Sequence, residues 1–273
     1  MKNLLQRGLY CACLWAIGSP FCATAQPIDD VVRRTIITEK QPLAYASVRE
    51  ADIIWEKRVW RIIDSRQTMN FSFSYELMPL VKLLENGIRD GAITPYSNET
   101  DDFSIPLDTA DLFPQLYQVD TVLVNDPETG MAYYQVVSLE YDPKDVLRYR
   151  IKEMWYFDKQ YSTMKVRILG IAPLFVKYDE NGNFLYERPL FWVYYPECRE
   201  WLSHHKAPTF EQPSGMMTWE DLFETRRFDS YIMKETNIYD RRLTDYLSGT
   251  DMLTEADLLK QSLFNFEHDL WSY

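Results

Sequence analysis

The sequence predicts an α+β fold in which a central antiparallel β-meander is packed by N-terminal and C-terminal helices. Near both ends of the chain, apolar residues recur at the spacing of about 3.6 residues that a helix requires, whereas from Val119 onward they recur at every second residue. Turn-forming residues at Asp126-Pro127-Glu128-Thr129-Gly130 and at Asn181-Gly182 separate the apolar segments of this middle region, as hairpins require. We therefore expect one α+β domain over residues 47–273, made of a helical part (47–118), an antiparallel sheet (119–196) and C-terminal helices (197–273).

The N-terminus has the features of a secretory signal peptide over residues 1–25. A basic start precedes an apolar run, and Ala23-Thr24-Ala25 supplies the small residues that a signal peptidase needs. We expect cleavage between Ala25 and Gln26 and export of the mature protein to the periplasm. Cys22 follows a proline and a phenylalanine, which fit a lipoprotein signal poorly, so a soluble mature form is favoured. After cleavage Cys198 is the single cysteine, and the mature chain closes no internal disulfide.

The segment after the signal peptide predicts an extended arm and then a helix. Residues 26–46 have no sustained periodicity and predict the arm. Ser47-Val48-Arg49-Glu50 has the spacing of a capping box and predicts a helix that ends near Asp64. On this helix Ile53 and Trp60 lie opposite the main apolar stripe. They are candidates for a partner interface, and burial on both sides of the helix is the alternative.

The remaining elements follow from local signals in chain order. A second helix is predicted from Pro79 to Gly91, because proline suits a first turn and glycine a helix end. An acidic loop follows over residues 95–114. Strands are predicted near residues 119–125, 131–139, 148–157, 163–178 and 184–195. Cap-like sequences at Thr218 and Thr254 predict two further helices, the last of them docked through an apolar stripe.

Two charged residues fall on predicted apolar faces. Arg58 lies within the apolar stripe of the first helix, and Glu153 shares a strand face with aromatic residues. Since a lone buried charge is costly, we expect each to have a partner of opposite charge or a hydrogen-bonded one, either elsewhere or each other. A buried carboxyl with a raised pKa could also act as an acid catalyst, which leaves a carboxylate-dependent hydrolase as a remote alternative. A structural ion pair is favoured for Glu153.

Composition and motifs argue against most other classes of function. The net charge of −12 repels nucleic acid, and no apolar run after the signal reaches the ~20 residues of a membrane span. Cys198, His204 and His205 lack the spacing of zinc ligands, and the acidic loop lacks that of a calcium site. No nucleophile elbow or phosphate-binding loop is present. We therefore expect no catalytic residue, no cofactor and no metal, and predict that the protein is not an enzyme.

Several long blocks resemble one protein family. They are READ (49–52) leading into WEKRVWR (55–61), IKEMWYFDKQ (151–160), VRILGIAPL (166–174), FWVYYPECRE (191–200), TWEDLFETRRFDSYI (218–232) and NFEHDLW (265–271). These blocks are similar to the GldN family, also called PorN, of the type IX secretion and gliding machinery. Because the blocks are long and rich in tryptophan and tyrosine, the probability of a chance resemblance is small.

The resemblance implies a non-catalytic structural subunit of the type IX secretion apparatus of Bacteroidota-type bacteria. It implies assembly with further copies of itself and with the GldK/PorK outer-membrane lipoprotein into a periplasmic ring. The periplasmic part of the GldL/GldM (PorL/PorM) motor is a further expected partner. The alternative that the sequence leaves open is a stand-alone periplasmic ligand-binding module that uses an aromatic face of the sheet.

Overall fold

The structure, a computed structural model, describes residues 37–125, 132–140, 142–178, 184–209 and 217–271. The predicted cleavage site, the first part of the predicted arm and both predicted hairpin turns lie outside these residues. The described residues belong to one compact unit, Ile36–Tyr273, and combine an antiparallel sheet with helices. The predicted α+β class is confirmed.

Nine strands and five α-helices make up the described part of the chain. The strands are β1 (Ile53–Asp64), β2 (Pro95–Tyr96), β3 (Tyr117–Asn125), β4 (Ala132–Glu140), β5 (Arg148–Asp158), β6 (Thr163–Tyr178), β7 (Phe184–Pro189), β8 (Trp192–Tyr194) and β9 (Tyr231–Glu235). The helices are α1 (Leu80–Arg89), α2 (Thr109–Leu116), α3 (Tyr195–Ser203), α4 (Trp219–Glu224) and α5 (Gly249–Trp271).

The main sheet has seven strands, in the order β2-β8-β6-β5-β1-β9, with β7 also paired to β6. Strands β3 and β4 form a separate two-stranded sheet. The predicted middle strands are confirmed, and the last of them is divided into β7 and β8. However, the main sheet is more than a meander of the middle region, because β1 from the N-terminal part lies between β5 and β9.

The predicted helix from Ser47 to Asp64 is wrong. Only a single 3-10 turn, Glu50–Asp52, precedes β1, which pairs with β5 from Ile53 to Asp64. Most apolar residues of β1 are β-branched or aromatic, and such side chains favour extended backbone. The strand also carries apolar residues on both faces, as a central strand buried on both sides does. That distribution mimics helical periodicity when the sequence is read alone.

One face of the sheet, here called the helical face, is covered by helices. It presents Ile63 of β1 and Tyr149 and Ile151 of β5 to a core built with α1, α3 and α4. Next to it Val59 joins a second cluster with Ala256 and Leu263 of α5, where Trp55 and Phe266 also stack with ring centroids 4.7 Å apart. The predicted docking of the C-terminal helix is confirmed, although α5 begins at Gly249 and Thr254 lies inside it.

The opposite face, here called the loop face, is covered by the loop that follows β2. Trp60 and Ile62 of β1 pack there with Trp192 of β8 and with Phe103, which comes from the loop after β2. Gly170 allows this packing, since a Cβ atom at that position would collide with the Phe103 ring. The sheet is therefore buried on both faces around β1 and β5, and this arrangement places charged residues of both strands inside the molecule.

Two helix ends follow their sequence signals. Helix α1 stops before Gly91, which adopts φ 73°, as predicted. Helix α4 begins with a capping box in which Thr218 and Asp221 satisfy each other's backbone N–H groups, also as predicted. Helix α4 is only six residues long, however, and the chain returns to the sheet as β9.

Candidate functional site

The carboxylate of Glu153 is fully buried on the helical face of the sheet, with an exposed fraction of 0%. Nη2 of Arg226 lies 2.8 Å from its Oε1, and the indole Nε1 of Trp155 donates to its Oε2 at 3.0 Å. Glu153 therefore has the opposite-charge partner that we predict for it. The partner is Arg226 and not Arg58.

Arg226 is positioned by the end of helix α4. The N–H of Arg227 donates to the carbonyl of Leu222 at 3.0 Å, and the N–H of Arg226 donates to that of Phe223 at 3.1 Å. These two bonds form a Schellman motif, whose left-handed position usually holds glycine. Arg226 occupies it with φ 53°, and its guanidinium contacts the rings of Trp155 and Phe228. The side-chain contacts of Arg226 offset this backbone strain.

A second arginine, the buried Arg61 of β1, lies on the same face. Its Nε donates to Oγ of Ser230 at 2.8 Å, and its Nη2 donates to the Ser230 carbonyl at 2.9 Å. Burial lowers the pKa of Arg61, and the nearby carboxylate of Glu153 opposes that shift. Glu153, Arg226 and Arg61 thus form an internal charge network. Its geometry gives no support to the hydrolase alternative, because the carboxylate is paired and has no contact with solvent.

The other predicted site residues of β1 have different surroundings from those that the predicted helix implies. Arg58 is exposed, so it is not a buried charge. Trp60 is 7% exposed, and its Nε1 donates to Oδ2 of Asp101 at 2.6 Å, while Lys234 lies 4.5 Å from its ring centroid. Ile53 is half-buried at the start of the strand. The predicted interface of Ile53 and Trp60 therefore loses its geometric basis, since no outer helix face exists there.

The described part of the predicted arm lies against its own chain. Nζ of Lys40 lies 2.5 Å from Oδ1 of Asp221, and the hydroxyl of Ser203 donates to the Lys40 carbonyl at 3.2 Å. Further along, the hydroxyl of Tyr45 donates to Glu224 at 2.6 Å, and the guanidinium of Arg199 lies 4.1 Å from the Tyr45 ring centroid. Residues 40–45 are therefore fastened to helices α3 and α4.

The segment that follows the edge strand β9 exposes two large apolar side chains. Beyond its end, Ile238 is 97% exposed and Tyr239 is 74% exposed. Beside them is a recess of about 350 Å³, lined by Lys234, Glu235, Asn237, Tyr239, Arg241, Leu243, Tyr246, Glu255 and Leu259. We call Ile238, Tyr239 and this recess the β9 edge surface. Apolar side chains with a polar rim at a sheet edge are typical of protein contacts.

The candidate metal ligands do not converge. Cys198 is buried, and burial raises the pKa of its thiol, whereas Nδ1 of His205 lies 2.7 Å from the carbonyl of Trp201. Among the described residues, no group of three or more metal-ligating side chains lies together. Within the same residues, no helix has both the length and the apolar character that a membrane span needs.

Several charged residues that the fold brings inside the molecule could not be predicted from local sequence patterns. Arg226 and Arg61 follow no motif, and their role depends on strands and helices far apart in the chain. Glu85 of α1 is 4% exposed, and burial raises its pKa to about 7. The sequence contains a signal for its position on the apolar side of α1, because Val81 lies one turn before it and Ile88 one turn after it.

Comparison with known protein families identifies a match over most of the chain. The family model described as gliding motility associated protein GldN matches residues 48–272. The match includes every described helix and strand from β1 to α5. No curated protein matches the chain.

Proposed function

The chain belongs to the GldN family and is therefore a component of the gliding motility and type IX secretion apparatus, and we propose that within it the protein is a non-catalytic building block of a periplasmic ring. In this proposal it is exported, and it assembles with further copies of itself and with the GldK/PorK lipoprotein at the outer membrane. The periplasmic part of the GldL/GldM motor is the next contact of that ring.

The single observation that carries this proposal is the extent of the family match. It covers residues 48–272, so the whole sheet, both of its covering layers and the C-terminal helix are family features. The arrangement of the charges supports a structural role. Glu153 is the carboxylate considered above as a possible acid catalyst. It forms an internal ion pair with Arg226 instead.

A ring also requires particular surfaces. Each copy in a closed ring of identical subunits contacts the next through two different surfaces. The β9 edge surface suits one of these contacts with a second copy, because it combines an unpaired strand edge in the described sheet with the exposed side chains of Ile238 and Tyr239. Burial of a large apolar side chain contributes about 1.5–3 kcal/mol.

Affinity purification from cell envelopes tests the proposal. A tagged copy of the chain should retain the GldK/PorK-like lipoprotein and untagged copies of itself, and deletion of the protein should abolish type IX export. If the tagged chain is recovered without either partner while export continues in the deletion strain, the ring proposal is wrong.

The surface assignment has its own test in the variant Ile238→Asp. It should weaken recovery of untagged copies, since a carboxylate cannot be buried there without cost. Leu77→Asp is the matched control, because Leu77 is an exposed apolar residue at another place in the described chain. Equal recovery with both variants would show that the β9 edge surface is not the contact between copies.

The ligand-binding alternative receives less support from the fold. The aromatic side chains that would line a binding face of the sheet, Trp60, Phe103 and Trp192, pack against one another on the loop face. They fill the space that a ligand would need.

A further inference from the structure

The described part of the N-terminal arm is attached to the rest of the chain without burying any of its residues. Every residue over 37–49 is exposed or half-buried, and Leu43 in the docked segment is 85% exposed. Polar and aromatic contacts at the surface therefore hold the arm. A segment with few buried apolar contacts leaves its site at a small cost in free energy.

Lys40 is the first anchor of the arm. Its Nζ lies 2.5 Å from Oδ1 of Asp221 and 3.5 Å from Oε2 of Glu220, and it donates to Oγ1 of Thr218 at 2.9 Å. All three partners lie at the start of α4. The ammonium group therefore has three oxygen partners, which match its three N–H groups.

Tyr45 is the second anchor. Its hydroxyl donates to Oε1 of Glu224 at 2.6 Å, and its ring centroid lies 4.1 Å from Cζ of Arg199 and 4.9 Å from that of Arg167. A hydrogen bond to a carboxylate is stronger than one between neutral groups, and a guanidinium over a ring adds cation–π attraction. These contacts recognise a tyrosine, because they use both its ring and its hydroxyl.

The carboxylates that hold the arm are also bonded within the body of the chain. Glu220 accepts from Nη2 of Arg199 at 2.7 Å. Glu224 accepts from the hydroxyl of Tyr195 at 3.0 Å, and Asp221 accepts the backbone N–H of its capping box at 3.0 Å. Each of these carboxylates keeps a donor when the arm leaves. The site is therefore built without the arm.

A second copy of the chain carries the segment that fills this site. Residues 40–45 of that copy make the same contacts, so an exchange of arms between copies leaves the contact energy unchanged. Residues 46–49 join the docked segment to the body, lie outside any helix or strand and are exposed or half-buried, as a hinge requires. Exchange of an identical element through such a hinge is a low-cost route to association, and a high local concentration of copies favours it.

We propose that this site binds residues 40–45 of a neighbouring copy where copies are concentrated, and those of its own chain where the protein is dilute. We call it the arm site, formed by Arg167, Arg199, Glu220, Asp221 and Glu224. The inference rests on the proposed assembly of identical copies. An arm that reaches the arm site of the next copy makes a head-to-tail contact, which can repeat around a closed ring.

A peptide tests whether the arm site recognises the arm as a separate molecule. The receptor is the full chain with Lys40→Ala and Tyr45→Ala, whose own arm has lost both anchors. The probe is a labelled synthetic peptide of residues 37–46, and fluorescence anisotropy measures its binding. The unmodified chain should bind this peptide more weakly than the variant does, because its own arm competes for the site.

Substituted peptides give the matched comparison. The peptide with Tyr45→Ala should bind the receptor about tenfold or more weakly, because it loses a hydrogen bond to a carboxylate. The peptide with Leu43→Ala should keep its affinity, since Leu43 is exposed. No binding of the natural peptide, or equal affinity of the two substituted ones, would overturn the inference.

Zero-length cross-linking tests exchange between unmodified chains. A carbodiimide joins Nζ of Lys40 to the carboxylate of Asp221 as an amide, with loss of water, because the two groups are in contact. Chains with natural nitrogen and chains with the heavy isotope are mixed, and mass spectrometry identifies the label of each linked peptide. A link with mixed labels joins two copies. The ion pair of Lys57 and Glu235, 2.6 Å apart on neighbouring strands, is the control and should give single-label links.

The links are compared in the dilute chain, in the concentrated chain and in the complex with the lipoprotein. We expect single-label links of Lys40 and Asp221 in the dilute chain and mixed-label links in the other two samples. Single-label links in all three samples would overturn the inference, even if a heavy complex forms and the ring proposal stands. Mixed-label links in the concentrated chain without a heavy complex would support arm exchange and contradict the ring proposal.

Discussion

Removal of Arg226 tests the internal charge network most severely. Arg226→Met keeps an unbranched apolar side chain beside Trp155 and Phe228, but it removes the guanidinium and leaves the carboxylate of Glu153 buried with one indole donor. Removing one partner of a buried ion pair typically costs about 3–5 kcal/mol. Because Arg226 is 33% exposed and Arg61 still attracts Glu153, we expect the low end, about 3 kcal/mol.

The partner substitution is expected to cost less. In Glu153→Gln the amide oxygen still accepts from Trp155, no buried carboxylate is left, and Arg61 keeps its hydrogen bonds to Ser230, so the free energy of unfolding should fall by about 1 kcal/mol. The double variant should then be more stable than the sum of both losses predicts. We expect a coupling free energy of about 2 kcal/mol, within the range for residues in contact.

Urea unfolding followed by tryptophan fluorescence measures these differences, since the chain has eight tryptophans. Arg227→Met is the matched control, because Arg227 is the exposed neighbour of Arg226. A loss of less than about 0.5 kcal/mol in Arg226→Met, or losses that add within about 0.5 kcal/mol in the double variant, would refute the network.

Three further predictions concern burial, pH and chemistry. Trp60→Ala should lower the free energy of unfolding, measured in urea, by about 3–5 kcal/mol, because Trp60 is buried. Ile54→Ala should lower it by less than about 0.5 kcal/mol, because Ile54 is exposed. Equal losses would contradict the assignment of these residues to a strand. Burial raises the pKa of Glu85 to about 7 from 4.5, so its contribution to stability is present below pH 4.5 and is lost as the pH rises through about 7. The resulting change in the free energy of unfolding with pH is up to about 3 kcal/mol. Glu85→Gln should remove this pH dependence, and Glu76→Gln, at an exposed position, should keep it. An unchanged pH profile in Glu85→Gln would refute the prediction. Glu153→Gln should leave type IX export intact in cells if the protein folds, and loss of export with normal folding would indicate chemistry at that carboxyl.

The parts of the fold that local sequence determines could be predicted. Alternation identified β5 and β6, and the capping box at Thr218 and the glycine at 91 set helix ends, because each signal acts within a few residues. Strand β1 could not be read in this way. It carries apolar residues on both faces because it is central, and its position between β5 and β9 depends on partners far away in the chain.

The partner of Glu153 in the charge network could not be predicted from local sequence either. Alternation along β5 placed Glu153 on a buried face, and the cost of a lone buried charge required a partner. The identity of that partner depends on the left-handed turn that ends α4, which brings Arg226 over the sheet. The helical prediction also misplaces Arg58, which is exposed on strand β1.

Light scattering on a size-fractionated complex tests the central claim most directly. The chain is co-expressed with the GldK/PorK-like lipoprotein, and the mass of the eluted species is measured. Alone, the protein should be a monomer or a small oligomer, and with the lipoprotein it should elute in a complex far heavier than one copy of each. Two separate peaks, each with the mass of a single uncomplexed protein, would contradict the account of this chain as a ring subunit.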